Sequence, residues 1–135
     1  MPDASHPISC ACGQVSLTIN AELSGPFQCY CRQCRHASGG GPATFVMVPR
    51  DGVRIEGAVA SYSEPTESGN NASRSFCPTC GTAVYSEPGS VPHLLAIKLS
   101  MFDDAPWAKV QAAFWTSEAP AWALIDPDIY SMPKG

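Results

Sequence analysis

The residues best placed to do chemistry are seven cysteines, which fall into the clusters Cys10-x-Cys12, Cys29-x-Cys31-x-x-Cys34 and Cys77-x-x-Cys80. Thiolates at such short spacings can reach one metal ion together. Four thiolates close a tetrahedral zinc site, whereas three leave one position open for an exchangeable ligand. The two pairs supply four thiolates and the middle cluster supplies three. The sequence therefore predicts one structural and one catalytic zinc ion, and an enzyme.

The four-cysteine cluster consists of the two pairs, which are far apart in sequence, so only the fold can join them: Cys10, Cys12, Cys77 and Cys80. Its stronger half is the knuckle, Cys77-Pro78-Thr79-Cys80-Gly81, because two residues between thiolates let both sulfurs reach one ion and glycine eases the turn. A structural zinc contributes folding free energy on the order of ten kcal/mol. The alternatives are buried free cysteines acting as small hydrophobes, or disulfides, which an odd number of thiols disfavours.

The three-cysteine cluster consists of Cys29, Cys31 and Cys34. If Cys29 and Cys31 lie on one strand, their sulfurs point to the same face, and a turn brings Cys34 back towards them. The sequence offers no clear fourth ligand, although His36 is a candidate for a ligand or for a residue that orients one. The cluster is the predicted catalytic site, and a redox or metal-sensing switch is a weaker alternative.

Basic and glycine-rich residues surround this cluster. Arg32 and Arg35 can offset thiolate charge, and Arg35 is the predicted contact for the carboxylate of a thiol substrate. Ordinary solvated arginines are the alternative. The run Gly39-Gly40-Gly41 is interpreted as a flexible connection, with exposed backbone N–H donors for an anion as the alternative.

Composition bounds the remaining possibilities. A chain of 135 residues with 15% charged residues, 11 glycines and 13 prolines predicts a single, mostly antiparallel β domain over residues 1–135. The net charge of −4, without a Lys/Arg run, argues against a nucleic-acid partner. No apolar run approaches the ~20 residues of a membrane span, and Met1 to Ser9 lack the features of a secretory signal. We therefore expect a cytoplasmic protein, with no prediction for its oligomeric state.

Local patterns predict the individual strands. Val15, Leu17 and Ile19 alternate with polar residues, which is typical of a half-buried strand. Glu64 to Ala72 is polar and is predicted to be a mobile loop. Further strands, including a hairpin around Gly57, are predicted at Phe27 to Cys31, Phe45 to Val48, Val53 to Tyr62, Leu94 to Leu99 and Val110 to Thr116.

Flanking residues around the cysteines form longer motifs that run through most of the chain: Cys10-Ala-Cys12-Gly13-x-Val15, Cys29-x-Cys31-x-x-Cys34-Arg35, Arg74-x-Phe76-Cys77-x-x-Cys80-Gly81-Thr82 and Ala119-Pro120-Ala121-Trp122. In these motifs the chain resembles the glutathione-dependent formaldehyde-activating family, which includes centromere-protein-V-like members. Two positions depart from the family pattern. Tyr30 stands where the family usually has histidine, and Ala121 is an extra residue in the Ala-Pro-Trp segment.

The resemblance implies a β-tent fold, in which several small, coiled antiparallel sheets are organised around a structural zinc. It also implies that the four-cysteine cluster holds the structural zinc and the three-cysteine cluster the catalytic one. The implied activity is that of a carbon–sulfur lyase that joins formaldehyde to glutathione and gives S-hydroxymethylglutathione. A non-catalytic zinc module that presents a surface to a protein partner is the alternative function.

Overall fold

The computed structural model describes residues 7–66 and 69–135, with the exception of the side chain of Pro7. The predicted lack of a secretory signal concerns residues that lie mostly outside this part. One α-helix, α1, spans Arg32–Ser38 within the described residues, where no helix is long and apolar enough to span a membrane. The strands are β1 (Pro7–Ser9), β2 (Ser16–Ile19), β3 (Ser24–Cys29), β4 (Ala43–Pro49), β5 (Val53–Glu56), β6 (Ala60–Pro65), β7 (Asn71–Phe76), β8 (Ala83–Pro88), β9 (Leu94–Lys98), β10 (Ala112–Phe114) and β11 (Tyr130–Ser131).

The strands form two sheets. The first has the order β1-β2-β5, and the second has the order β11-β10-β3-β4-β9-β8-β7-β6. The prediction of a mainly β, mostly antiparallel fold is confirmed. The exception is β10, which pairs in parallel with both β3 and β11. This pairing sets Phe114 beside Cys29 and so fixes the end of β3, where the three-cysteine cluster begins.

One apolar core joins the two sheets. Leu17 and Ile19 of β2 are almost fully buried, as their alternation predicts, and they belong to the same core as Val46, Val48 and Ile97 of the second sheet. Burial of each such side chain contributes about 1.5–3 kcal/mol. This shared core holds the first sheet against the second and brings the two distant cysteine pairs into range.

The segment around Cys31 differs from its prediction. The strand predicted over Phe27 to Cys31 ends at Cys29, and Cys31 is the N-terminal cap of α1, where its Sγ accepts a hydrogen bond from the backbone N–H of Cys34 at 3.4 Å. The helix ends at Gly39, which has the left-handed φ of 85° that glycine adopts without strain. The run Gly39-Gly40-Gly41 therefore begins directly at the helix cap. The sequence of α1 has no apolar periodicity, so pattern analysis missed it.

The hairpin predicted around Gly57 is wrong. Strand β5 pairs with β2, and β6 pairs with β7. Gly57 has a φ of +94°, and a Cβ there would collide with the carbonyl oxygen of Gln14. The glycine therefore allows the chain to leave β5 close to the first sheet and cross to the second. The loop predicted over Glu64 to Ala72 is also shorter than expected, because β6 extends to Pro65 and β7 begins at Asn71.

Candidate metal centres

The four-cysteine cluster has the geometry of a tetrahedral thiolate site. All four sulfur atoms lie within 4.8 Å of one another. The Sγ atoms of Cys10 and Cys12 are 3.7 Å apart, and those of Cys12 and Cys77 are also 3.7 Å apart. Zinc–sulfur bonds of about 2.3 Å in a tetrahedron place the sulfurs about 3.8 Å apart, whereas a disulfide needs about 2.05 Å. The arrangement fits a zinc ion and excludes a disulfide between these neighbours in this conformation.

Two tight turns deliver these cysteines. Between β1 and β2, the backbone N–H of Val15 donates to the Sγ of Cys10 at 3.3 Å, which lowers the pKa of that thiol. After β7, the N–H of Gly81 donates to the carbonyl of Cys77, which closes the knuckle. The first turn belongs to the first sheet and the second to the β7–β8 hairpin. A metal ion held here would therefore clamp the two sheets together.

Thr82 supports both halves of this cluster. Its Oγ1 accepts a hydrogen bond from the backbone N–H of Ala11 at 3.2 Å and lies 3.1 Å from the Sγ of Cys80. Since the accepting lone pair faces Ala11, the hydroxyl proton is free to donate to Cys80. This hydrogen bond lowers the pKa of the Cys80 thiol to about 5. The threonine thus favours the thiolate that a metal ion requires.

Replacement of Thr82 with valine is expected to weaken metal binding at the four-cysteine cluster by about tenfold, because a hydrogen bond to a metal ligand is lost. Competition with a chelator measures this change. Thr82→Ser keeps the hydroxyl and serves as the matched control, with an affinity close to that of the parent. Equal affinities for the valine variant and the parent would contradict the role given to Thr82.

The three-cysteine cluster also converges, with its sulfur atoms within 4.8 Å of one another. Cys29 lies at the end of β3, Cys31 caps α1, and Cys34 lies in the first turn of the helix. All three are partly buried. Among the described histidine, cysteine and acidic residues, none adds a fourth donor within that distance, and His36 is exposed on α1. Three soft sulfur donors suit zinc and leave one coordination position for another ligand.

Hydrogen bonds among the three thiols favour one thiolate even without a metal. Donation from Cys29 and then from Cys34 lowers the pKa of Cys31 to about 2. The same hydrogen bond raises the pKa of Cys29. The backbone N–H of Cys34 also donates to the Cys31 sulfur. The negative charge of the cluster is therefore concentrated on Cys31.

Two cations from the second sheet approach the three-cysteine cluster. An Nη2 atom of Arg74 lies 4.0 Å from the Sγ of Cys34, and the guanidinium also pairs with Glu64 at 3.1 Å. Lys98 at the end of β9 is only 7% exposed. Burial lowers the pKa of Lys98, and the charge of Cys34 opposes this effect. The role of Lys98 was not predicted from the sequence. A single basic residue at the end of the apolar run Leu94 to Ile97 could have indicated it.

The arginines that flank the cluster form hydrogen bonds that fix the position of α1. The Nε of Arg35 donates to the carbonyl of Tyr30 at 3.0 Å, which ties α1 to the residue between the first two cysteines. The backbone N–H of Arg32 donates to Glu118 Oε1 at 2.9 Å, so a carboxylate satisfies one free N–H at the start of the helix. These contacts hold α1, and with it Cys34, against the second sheet.

Comparison with known proteins identifies the family. A family model described as glutathione-dependent formaldehyde-activating enzyme matches residues 5–118, a span that includes both cysteine clusters. The chain belongs to this family. A crystal structure of a Rhodobacter sphaeroides protein is similar to it, with a TM-score of 0.60 and 23% identity over 76% of this chain and 93% of the other. That likeness shows a shared fold. A search of curated proteins found no match.

This member of the glutathione-dependent formaldehyde-activating family has tyrosine at position 30. Its side chain is 2% exposed, and burial raises the pKa of its hydroxyl. The side chain of Tyr30 therefore lies inside the protein. Position 30, between Cys29 and Cys31 in the sequence, supplies no imidazole to the cluster. Its backbone contacts, with the carbonyl of Phe114 and with Arg35, position the chain on either side.

Proposed function

We propose that the protein is a zinc-dependent carbon–sulfur lyase that acts on the adduct of a small thiol and a small aldehyde, in the manner of S-hydroxymethylglutathione formation. The observation that carries the proposal is a cluster of three thiols to which no other described donor belongs, flanked by Arg74 and Lys98. The family description, which names glutathione and formaldehyde, supports the same substrate class.

The three cysteines Cys29, Cys31 and Cys34 are the proposed ligands of the catalytic zinc. The bound ion would supply an open position at which a substrate thiol is held as thiolate near neutral pH. Three thiolates and a divalent ion carry one net negative charge, and a fourth thiolate adds another. Arg74 and Lys98 reduce the electrostatic cost of that additional charge, because both lie beside the cluster.

The proposed reaction needs no oxidant or reductant. The thiol loses its proton, its sulfur forms a bond with the aldehyde carbon, and the electron pair of the carbonyl π bond moves to oxygen. That oxygen then takes up a proton, so the product is an adduct that contains all atoms of the thiol and the aldehyde. The lyase direction reverses these steps and breaks the carbon–sulfur bond. The residues of the cluster would serve both directions, because in each they would hold the ion whose open position accepts the substrate sulfur.

The four-cysteine cluster is proposed to hold a second, structural zinc, because its four sulfurs leave no position for a substrate. We also propose a cytoplasmic location, since seven unpaired thiols suit a reducing compartment.

Cobalt substitution followed by thiol addition tests the proposal. With cobalt in the three-cysteine cluster, glutathione is expected to add a sulfur ligand and to change the visible absorption of the ion. Turnover of glutathione with formaldehyde is then followed by NMR, and Cys31→Ser serves as the control that removes the site. If cobalt occupies the cluster and no thiol changes its spectrum, the proposed catalytic role is wrong.

A non-catalytic zinc module is the second candidate, favoured by exposed apolar residues in the C-terminal segment. Trp122 is 67% exposed, Leu124 is 95% exposed and Tyr130 is 63% exposed. Contiguous apolar patches mark surfaces that bind another protein, and these side chains are the proposed contacts of such a surface. This function predicts no turnover and no spectral response to thiols.

Arg35 remains a proposed contact for an anionic thiol. Its Nε is committed to Tyr30, but the guanidinium carries further N–H donors. Arg35→Ala is expected to weaken binding of glutathione by about 1–3 kcal/mol and that of the neutral thiol 2-mercaptoethanol much less. Titration of the cobalt spectrum measures both affinities. An equal loss for the two thiols would assign Arg35 a purely structural role through its bond to Tyr30.

A further inference from the structure

A cavity of about 420 Å³ has a wall that contains none of the cysteines but includes residues adjoining both cysteine clusters. It is bounded by the end of α1, the start of β4, the knuckle and the end of β9. Ala37 and Ser38 in its wall follow Cys34 by one helical turn. Ala43 in the opposite part of the wall pairs with Cys29 across β3 and β4. The cavity is of the size of small-molecule sites and borders the proposed catalytic centre.

The lining of this cavity combines small apolar residues with hydroxyl groups and one basic residue. Hydroxyl groups come from Ser38, Thr44, Thr82 and Ser100, and an ammonium group comes from Lys98. None of the lining residues is acidic. Hydroxyls and an ammonium are hydrogen-bond donors for oxygen atoms of a ligand. The lining therefore offers donors to the carboxylate or amide oxygens of a ligand.

Lys98 is the unusual member of this wall. It is more than nine-tenths buried, and in residues 7–66 and 69–135 no carboxylate forms an ion pair with it. Its Nζ lies 5.6 Å from the centre of the Phe45 ring, which provides a weak cation–π contact. Burial of a cation is costly without a counter-charge. The thiolates supply part of that charge, but a divalent ion in the cluster would neutralise most of it.

We propose that the cavity binds the carboxylate of an acidic thiol, with Lys98 as its anchor, and that the site thereby selects anionic thiols over neutral ones. This inference rests on the proposed function for the fate of the sulfur, which would enter the neighbouring cluster. The carboxylate of the bound ligand supplies a negative charge for Lys98, which has no ion-pair partner among the described residues. The hydroxyls of Thr44 and Ser100 are the further donors available to the ligand, because the Ser38 hydroxyl already donates to the carbonyl groups of Arg35 and Gly41.

The test uses S-methylglutathione, which carries carboxylates but has no free thiol, together with its diethyl ester. Binding of both to the zinc-loaded protein is measured by calorimetry. Lys98→Met is expected to weaken binding of the acid by about tenfold or more and to leave the ester nearly unchanged. Lys109→Met is the control, because Lys109 is exposed and does not line the cavity.

A second variant covers the case in which Lys98→Met fails to fold. Ser100→Glu adds a negative charge at an exposed position of the cavity wall and is expected to weaken binding of the acid. Ser90→Glu adds the same charge at an exposed position outside the wall and is expected to have little effect. The inference is overturned if the parent does not bind the acid. It is also overturned if Lys98→Met or Ser100→Glu, when folded, binds the acid as tightly as the parent does.

The outcomes separate this inference from the proposed function. Binding of S-methylglutathione that depends on Lys98, without any response of the cobalt spectrum to thiols, would support the cavity site and defeat the proposed catalysis. Ligation of thiols to cobalt, with equal binding of the acid and the ester, would support the catalysis and overturn the selectivity assigned to Lys98.

Discussion

Replacement of Cys77 with serine is expected to leave the protein unfolded or insoluble. Cys77 is completely buried, its sulfur is 3.7 Å from that of Cys12, and the cluster joins two sheets that share one core. Loss of a ligand removes most of a metal contribution on the order of 10 kcal/mol, which is comparable with the whole stability of a domain. Circular dichroism, solubility and zinc content of the purified variant measure the effect.

The control for this experiment is Cys31→Ser, which removes a thiol from the other cluster. A Cys77→Ser protein with the melting temperature and zinc content of the parent would refute a structural metal at the four-cysteine cluster. If both variants unfold, the two clusters do not differ in the way proposed.

Cys31→Ser is expected to keep the fold, to lose about one zinc per chain and to reduce turnover to background, because an open site has lost one of its three ligands. Cys31 lies at the boundary between β3 and α1 and is partly exposed, so no core packing depends on its sulfur. The serine hydroxyl can replace the sulfur as acceptor for the N–H of Cys34, because serine is a preferred N-cap residue, so the helix is expected to be retained. Metal analysis and thermal melting are measured on the same sample.

The matched control is His36→Ala, on the same helix but outside the cluster. It is expected to retain both metal ions and full turnover. Two tightly held ions in Cys31→Ser would contradict the open site, and a loss of metal in His36→Ala would show that the histidine is a ligand after all.

Local sequence patterns were sufficient for the elements whose side chains face one core. The alternation from Val15 to Ile19 and the apolar run from Phe45 to Val48 became β2 and β4, because burial of one face determines a strand of this kind. The knuckle was also predictable, since Cys77 and Cys80 are close in sequence and a glycine follows. In each case the information lies within a few residues.

Long-range pairing was not predictable in the same way. Nothing in the sequence of Ala112–Phe114 indicates a parallel partner some eighty residues earlier, yet that pairing places Phe114 beside Cys29. Helix α1 was not predicted, because its sequence has no apolar periodicity and because a cysteine, instead of the usual serine or aspartate, caps it. The role of Lys98 was not predictable for the same reason, because the charged groups around its side chain come from residues that are distant in sequence.

The separation of the two cysteine pairs also has a consequence during synthesis of the chain. Cys12 and Cys77 are 65 residues apart, so at about 5–20 residues per second the ribosome delivers the second pair roughly 3–13 s after the first. For most of that delay only β1 and β2 of the first sheet have been synthesised, and the first cysteine pair has no partner hairpin. If the four-cysteine cluster holds the proposed structural zinc, the site is complete only after the knuckle has left the exit tunnel. Zinc supplied at that moment would then lock the first sheet onto the β7–β8 hairpin and protect the new chain from proteolysis.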